Sequence, residues 1–229
     1  MVGLRIPQQQ SIVKPRSHCT HCQHTLGALE LIPVLSYIIL RGKCRVCTAK
    51  ISPIYAVIEL ATGILFLYAF WKLGISYELL VAWTFISLLV IIVVTDLAYM
   101  LIPNKILLFF LPLLVILRLL SPLQPWGDSA LGAVLGFSIL LLIAIVSKGG
   151  MGGGDVKLFF LIGLVLGTIN TLLTLFIAAF IGMIVGKLII MVSQQGDKTP
   201  IPFGPYIAVA SIIVYFYGGD LVSWYLNLL

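Results

Sequence analysis

Residues 79–96 read LLVAWTFISLLVIIVVTD, an uncharged apolar run that ends at Asp96. A run of about 20 such residues can cross the hydrocarbon core of a bilayer as a helix. Largely apolar runs recur along the chain, at 54–71, 79–95, 105–120, 129–147, 157–169, 171–192 and 205–227. We therefore predict an all-α polytopic membrane protein with about seven transmembrane helices, of which the short run at 157–169 is the weakest span.

The composition excludes an ordinary water-soluble domain. Hydrophobic residues make up 61% of the 229 residues and charged residues 10%, where soluble domains have about 45–50% and about 25%. The mean hydropathy is +1.15. The net charge of +6 does not indicate a nucleic-acid partner, because the basic residues flank apolar runs rather than gathering on a polar domain. Membrane lipid is the expected surrounding.

The distribution of Lys and Arg predicts the orientation. If residues 1–53 lie in the cytoplasm and the seven spans alternate, twelve of the 14 basic residues fall inside, and only Lys72 and Arg118 fall outside. Such a bias follows the positive-inside rule. On this topology Glu78, Asp128 and Asp220 lie on the outer side, where we expect them to be exposed to water.

Residues 1–53 are polar and hold all four cysteines, so we predict a cytoplasmic region at 1–53 and a transmembrane domain at 54–229. The cysteines form two C-x-x-C pairs with 21 residues between them: Cys19, Cys22, Cys44 and Cys47. This spacing is typical of a zinc ribbon, in which four thiolates form a closed structural site. Disulfides or a redox pair are the alternatives, but a reducing compartment argues against disulfides.

Two carboxylates stand at the ends of apolar runs. Asp96 closes the run at 79–95, and Asp155 follows Gly152-Gly153-Gly154. Ionisable groups at such depths are costly and mark candidate functional sites. Two spans separate them, and an even number of crossings returns the chain to the same side. We therefore predict that both aspartates lie at the cytoplasmic border.

Two carboxylates at one membrane face can share a proton, so that one activates water while the other hydrogen-bonds a carbonyl, as in aspartic proteases. The glycine run before Asp155 would permit close approach of an extended peptide. Taken alone, Asp155 is explained as a cap of a helix that starts at Val156, and Asp96 as the end of a span. Their occurrence together on one side favours catalysis.

These motifs resemble those of the type 4 prepilin peptidases, which are membrane aspartic proteases of the Gly-x-Gly-Asp class. The segment 152–157, GGGDVK, is similar to the family's second catalytic motif, and Asp96 with Ile102-Pro103 is similar to the first. Many members carry Asp where this chain has Asn104, so position 104 is assigned no catalytic role. Residues 202–205, PFGP, match a late motif.

The cysteine-containing segments at 15–22 and 40–47 resemble the family's cytoplasmic zinc region. Members usually begin with an apolar span that ends before a stretch like Leu4-Arg5-Ile6-Pro7, so we expect the family's first helix to be absent here. The QQQS segment and compact loops resemble the competence-related members.

The resemblance implies catalysis by Asp96 and Asp155 on type IV prepilin or pseudopilin precursors, whose basic leader is removed at the cytoplasmic face of the bacterial inner membrane. It also implies N-methylation of the new N-terminus with S-adenosylmethionine in many members, and structural zinc. We expect substrate contacts from two glycine-containing segments, namely Gly152, Gly153, Gly154, Pro202, Phe203 and Gly204.

The rival interpretation is a proton- or cation-coupled transporter that uses Asp96 and Asp155, because embedded aspartates and broken helices also mark ion pathways. A transporter should place them near the bilayer midplane, whereas the predicted topology puts both at the inner border. A membrane scaffold with a zinc-ribbon docking module would explain the cysteines but not the paired aspartates.

Overall fold

The computed structural model describes residues 2–11, 14, 16–19, 21–147, 151–193 and 202–228. The regular secondary structure of these residues is helical, with no strand among them. Two short helices, α1 (Val2–Arg5) and α2 (Leu35–Ile39), and a 3-10 turn at Ala28–Leu31 precede the long ones. The long helices are α3 (Pro53–Leu73), α4 (Tyr77–Tyr99), α5 (Asn104–Leu120), α6 (Asp128–Val146), α7 (Gly153–Leu166), α8 (Thr168–Ser193) and α9 (Gly204–Leu226). The all-helical prediction is confirmed, with one long helix for each apolar run.

Five of the helices in the described ranges are long and apolar enough to cross a membrane: α3, α4, α6, α8 and α9. The chain is thus a multi-pass membrane protein. Helix α5 has 17 residues and α7 only 14. Helix α7 is nevertheless largely buried, with Phe159 and Ile162 fully enclosed, because α5, α6, α8 and α9 all pack against it. A helix covered by protein does not need the full length of a bilayer.

The chain forms two compact units, residues 1–75 and 76–229. In the second unit α6 and α7 pack backbone to backbone. A Cβ on Gly132 would lie 2.6 Å from the Gly163 carbonyl oxygen, and one on Gly136 would lie 2.7 Å from that of Phe159. Small residues allow this approach, which supplies van der Waals contact where lipid removes the hydrophobic driving force.

Helix α4 ends three residues after Asp96. Met100 adopts the left-handed conformation with φ 50°, and its N–H donates to the Asp96 carbonyl oxygen at 2.8 Å. Pro103 follows as the N-cap of α5. Because proline disfavours helical backbone in the residue before it, the chain is interrupted at Ile102 between α4 and α5. The sharp end of α4 leaves Asp96 in its last turn.

A polar cluster lies at the opposite end of α4 from Asp96. Arg118 is 6% exposed and donates to both carboxylate oxygens of Glu78 at 2.6 and 3.1 Å. Arg118 also donates to the Val165 carbonyl at 2.6 Å, and the hydroxyls of Ser121 and Tyr215 donate to Glu78. The prediction that Glu78 is merely solvated is therefore wrong: it joins α4, α5 and α9.

The other two acidic residues predicted for that side differ from each other. Asp128 accepts a hydrogen bond from the backbone N–H of Thr168 at 3.1 Å, so it is tied to the start of α8 rather than solvated. Asp220 is exposed, as predicted.

Candidate active site and metal centre

Asp96 is held by the start of another helix. It is buried, with 7% of its surface exposed, and its Oδ2 accepts a hydrogen bond of 2.7 Å from the backbone N–H of Gly204. Gly204 is the first residue of α9, so the carboxylate lies at the positive end of a helix dipole. One oxygen of the carboxylate is thus bound to the backbone at the start of α9.

Asp155 lies in the first turn of α7 and is half-buried. Its backbone N–H donates to the Gly152 carbonyl at 3.1 Å. Asp96 lies near enough for its negative charge to act on Asp155. Two carboxylates 59 positions apart in sequence, one in the last turn of α4 and one in the first turn of α7, are therefore brought near each other.

Part of the glycine run forms the start of α7. Gly153 and Gly154 are helical and begin α7, while Gly152 precedes it in extended conformation. A Cβ on Gly154 would lie 2.7 Å from Cβ of Ile102, whereas one on Gly153 would meet nothing within 4 Å. Gly154 is thus a close-packing residue. Two earlier glycines of the run, Gly149 and Gly150, lie outside the described residues.

The late motif shapes the start of α9. Phe203 is the N-cap of α9, and its carbonyl accepts hydrogen bonds from the N–H groups of Tyr206 and Ile207. The Phe203 ring lies over Gly182 of α8, 3.2 Å from where a Cβ would stand. Pro202 precedes it and is half-buried. These residues begin α9 where the Gly204 N–H faces Asp96.

Lys157 lies two residues after Asp155 in α7 and is exposed. Its Nζ donates to Oδ1 of Asn104, the first residue of α5, at 2.9 Å. This bond ties the start of α7 to the start of α5, where Ile102 contacts Gly154.

The four cysteines come together as predicted. Their sulfurs all lie within 4.8 Å of one another, with Cys19–Cys47 at 3.8 Å and Cys22–Cys44 at 3.9 Å. A tetrahedral zinc site with bonds of about 2.3 Å has sulfur–sulfur edges of about 3.8 Å. None of the four is in a disulfide. The donor set and its spacing therefore fit a structural zinc ion.

The two C-x-x-C segments share one local structure. The N–H of Cys19 donates to the carbonyl of His24, and 25 positions later the N–H of Cys44 donates to that of Ala49. The residue after each second cysteine, Gln23 or Thr48, has a positive φ of 57–59°. Sequence analysis missed this internal repeat, although the equal offsets between the cysteine pairs were there to be read.

The backbone favours the thiolate of one of the four cysteines, Cys19. Backbone N–H groups of Cys22 and His21 hydrogen-bond the Cys19 sulfur and lower the pKa of Cys19 to about 6. A thiolate is the form that binds zinc. The three histidines are not among the clustered ligand atoms.

Comparison with protein families finds two matches that together span most of the chain. The model described as the bacterial peptidase A24 N-terminal domain matches residues 1–73. The model of the type IV leader peptidase family matches residues 83–187. Both candidate centres fall within matched segments, except that Gly204 lies beyond the second.

Curated relatives agree with these matches. A protein of Bacillus subtilis (strain 168) is 46% identical over 226 residues, which cover 99% of this chain and 91% of the relative. Relatives from Aeromonas hydrophila and Pseudomonas aeruginosa are 35% and 33% identical, each covering 95% of this chain and 77% of the relative. All three are named prepilin leader peptidase/N-methyltransferase. No solved structure matches the chain.

Proposed function

Because the chain belongs to the type IV leader peptidase family, we propose that Asp96 and Asp155 are the catalytic pair of a membrane-embedded aspartic endopeptidase. The observation that carries this proposal is their juxtaposition: Asp96 is buried against the start of α9, and its charge interacts with that of Asp155. No other pair of carboxylates in the described residues is placed in this way. None of the similarities supports the transporter alternative.

The two carboxylates share one proton in this mechanism. The ionised carboxylate removes a proton from a water molecule, whose oxygen attacks the scissile carbonyl carbon. The protonated carboxyl hydrogen-bonds the carbonyl oxygen and stabilises the charge that develops there. Collapse of the tetrahedral intermediate breaks the C–N bond. The leaving amine takes the proton that the ionised carboxylate removed from water. The pair titrates as a unit, so neither residue is assigned the base.

The substrates are prepilin or pseudopilin precursors, in line with the names of the relatives. A basic leader stays on the cytoplasmic side while the following apolar helix partitions into lipid. The bond between them is then presented at the cytoplasmic border, where both aspartates lie in the predicted topology. An extended segment is required there, because a helix hides its carbonyls in hydrogen bonds.

The proposal includes a metal site and a second activity. Cys19, Cys22, Cys44 and Cys47 hold a structural zinc ion, which stabilises a region with few buried apolar residues of its own. The chain also methylates the new N-terminus, for which S-adenosylmethionine supplies an electrophilic methyl group when bound. This second activity rests on the double name of the relatives.

The test is cleavage of a precursor with a basic leader that ends in Gly before an apolar helix. Asp96→Asn and Asp155→Asn should each reduce cleavage to background, because Asn keeps the shape but cannot hold or transfer the shared proton. The exposed Asp220→Asn is the matched control and should cleave like the wild type. Wild-type cleavage by either Asn variant would refute the assignment. Mass spectrometry of the product N-terminus measures methylation on the same samples.

A further inference from the structure

The N-terminal unit carries an apolar segment on its surface. Residues 28–40 read ALELIPVLSYIIL, in which only Glu30, Pro33 and Ser36 are not hydrophobic. The side chains most open to the surroundings, 39–75% exposed, are those of Leu29, Leu31, Ile32, Leu35, Ile38 and Ile39. An exposed apolar patch of this kind marks a surface that contacts a membrane or another protein.

Two hydrogen bonds fix the position of this segment along α3, a helix long and apolar enough to cross a membrane. Just past the end of the segment, the carbonyl of Gly42 accepts a bond of 2.8 Å from the N–H of Ile51, two residues before α3 begins at Pro53. In the middle of the segment, the N–H of Val34 donates a bond of 3.0 Å to Oε2 of Glu59. Glu59 lies six residues after Pro53. The segment therefore runs from the start of α3 to a level inside its span.

These contacts give the segment a depth. Helix α3 has 21 residues and is about 31 Å long, which is close to the hydrocarbon thickness of about 30 Å. The start of α3 thus marks the edge of the hydrocarbon. Six residues of helix rise about 9 Å, and helical side chains tilt back toward the N-terminus, so Val34 lies about 5–9 Å beyond this edge. Interfacial segments bury their apolar faces to about the same depth, 5–10 Å.

The backbone of the turn in this segment is suited to lipid. An unpaired N–H is costly in hydrocarbon, and Pro33 has none. The N–H groups at positions 35, 36, 38 and 40 donate to backbone carbonyls of the same segment. The N–H of Val34 donates instead to the Glu59 carboxylate. The bond therefore satisfies two polar groups at once, one in the turn and one within the span of α3.

The groups at the level of the start of α3 suit a lipid headgroup region. Arg41, Lys43 and Lys50 are exposed, and Lys43 and Lys50 pair in a short antiparallel bridge next to Ile51. The hydroxyl of Tyr37 donates to the Ile51 carbonyl at 3.4 Å, and tyrosine is enriched at membrane–water interfaces. Basic side chains near a membrane surface are attracted to anionic lipids. The charged groups thus stand where phosphates lie, and the apolar ones where acyl chains lie.

We propose that residues 28–40 insert into the lipid leaflet at which α3 begins, where Glu59 holds Val34 among the acyl chains and Arg41, Lys43 and Lys50 lie at the phosphate groups. In the predicted topology this is the cytoplasmic leaflet. The segment fixes the N-terminal unit to the membrane surface beside α3. This inference does not depend on the proposed peptidase activity, because it requires only that α3 spans the bilayer.

Quenching by spin-labelled lipids tests this placement in the full chain. A genetically encoded fluorescent amino acid, which leaves the native cysteines untouched, replaces Leu29 or Ile39 in the segment. The same label replaces Ile64, an exposed residue near the middle of α3, and Thr48, an exposed residue of the second C-x-x-C segment. Each protein is reconstituted in vesicles of phosphatidylcholine and phosphatidylglycerol. The vesicles carry a nitroxide either near the carboxyl end or near the methyl end of the acyl chain.

We expect the labels at 29 and 39 to lose more fluorescence to the nitroxide near the carboxyl end than to the one near the methyl end. The label at Ile64, about 17 Å along α3 from Pro53, should show the opposite order, and the label at Thr48 should lose little to either. Quenching at 29 and 39 no greater than at Thr48 would overturn the proposal. So would energy transfer between labelled copies without quenching by lipid, since a second copy would then cover the segment.

Two substitutions of Glu59 test its part in holding the turn, with the label kept at position 39. Glu59→Leu removes the acceptor and leaves the Val34 N–H unpaired in lipid, so quenching should fall toward the value at Thr48. Glu59→Gln retains an acceptor oxygen and should be quenched like the wild type. The label at Ile64 is measured in both variants to check that α3 still spans the bilayer. Equal quenching of the two variants at position 39 would contradict the role of Glu59.

Discussion

The backbone N–H of Gly204 donates a 2.7 Å hydrogen bond to Oδ2 of Asp96, which joins residues 108 positions apart. The contact needs glycine, because a Cβ at position 204 would lie 2.7 Å from the same carboxylate oxygen. The PFGP motif at 202–205 is thereby connected to the proposed catalytic pair. Helix α9 begins within this motif, and the N–H of its first residue, Gly204, points at Asp96.

Gly204→Ala should reduce leader cleavage about ten- to hundredfold, since it displaces a carboxylate and weakens a charged hydrogen bond of about 1.5–3 kcal/mol. The rate of cleavage by purified enzyme is the measurement. Gly219→Ala is the control on the same helix, where a Cβ meets nothing within 4 Å. Equal rates for the two variants would contradict a positioning role for Gly204.

Gly154→Ala should impair cleavage by pushing the start of α7, and with it Asp155, away from Ile102. Gly153→Ala is an adjacent control, because a Cβ there meets no atom within 4 Å. We expect both variants to insert normally and only Gly154→Ala to cleave slowly. If Gly153→Ala and Gly154→Ala cleave at the same rate, the need for glycine at position 154 would come from loop or helix propensity and not from packing against Ile102.

The purified protein should contain about one zinc ion per chain. Replacement of any one of the four cysteines by Ser should release the metal and loosen the N-terminal unit while the second unit stays folded. His21→Ala should retain zinc, because His21 contacts the Cys19 sulfur through its backbone N–H, which alanine also has. Metal analysis by mass spectrometry decides; a zinc-free wild type with mapped disulfides would refute the site.

Arg118→Met should destabilise the protein by about 3–5 kcal/mol, because it leaves Glu78 without its buried counter-charge. The double variant Glu78→Gln/Arg118→Met should be more stable than the sum of the two single changes predicts. Thermal unfolding in detergent measures both, and Lys187→Met, at an exposed position of α8, is the control. Additive effects would mean that the pair is not coupled.

Impermeant thiol reagents test the orientation. Ile75→Cys, at a position that is 93% exposed between α3 and α4, should react in intact cells. Ala98→Cys, two residues after Asp96, should react only after the cells are permeabilised. The four native cysteines are predicted to be cytoplasmic and also become accessible after permeabilisation, so the protein without an added cysteine gives the background labelling. Labelling of Ala98→Cys from outside would reverse the topology and exclude cleavage at the cytoplasmic border.

The amino-acid sequence by itself was sufficient to predict the long helices and the clustering of the four cysteines. Each long helix coincides with an apolar run, because in lipid a segment must satisfy its own backbone hydrogen bonds and a helix does so locally. The spacing of Cys19, Cys22, Cys44 and Cys47 predicted a four-thiolate site, because two short turns suffice to bring the sulfurs together. Counting membrane crossings also predicted that Asp96 and Asp155 share a side.

Tertiary structure alone decided which groups these residues meet. Nothing local to Asp96 indicates Gly204 as its hydrogen-bond donor, and the glycine run before Asp155 gave no sign that Gly154 packs on Ile102. The pairing of Glu78 with Arg118 was equally hidden. Apolar periodicity reports the environment of a segment, whereas these contacts depend on how distant helices and turns are packed, and that packing is set by the whole chain.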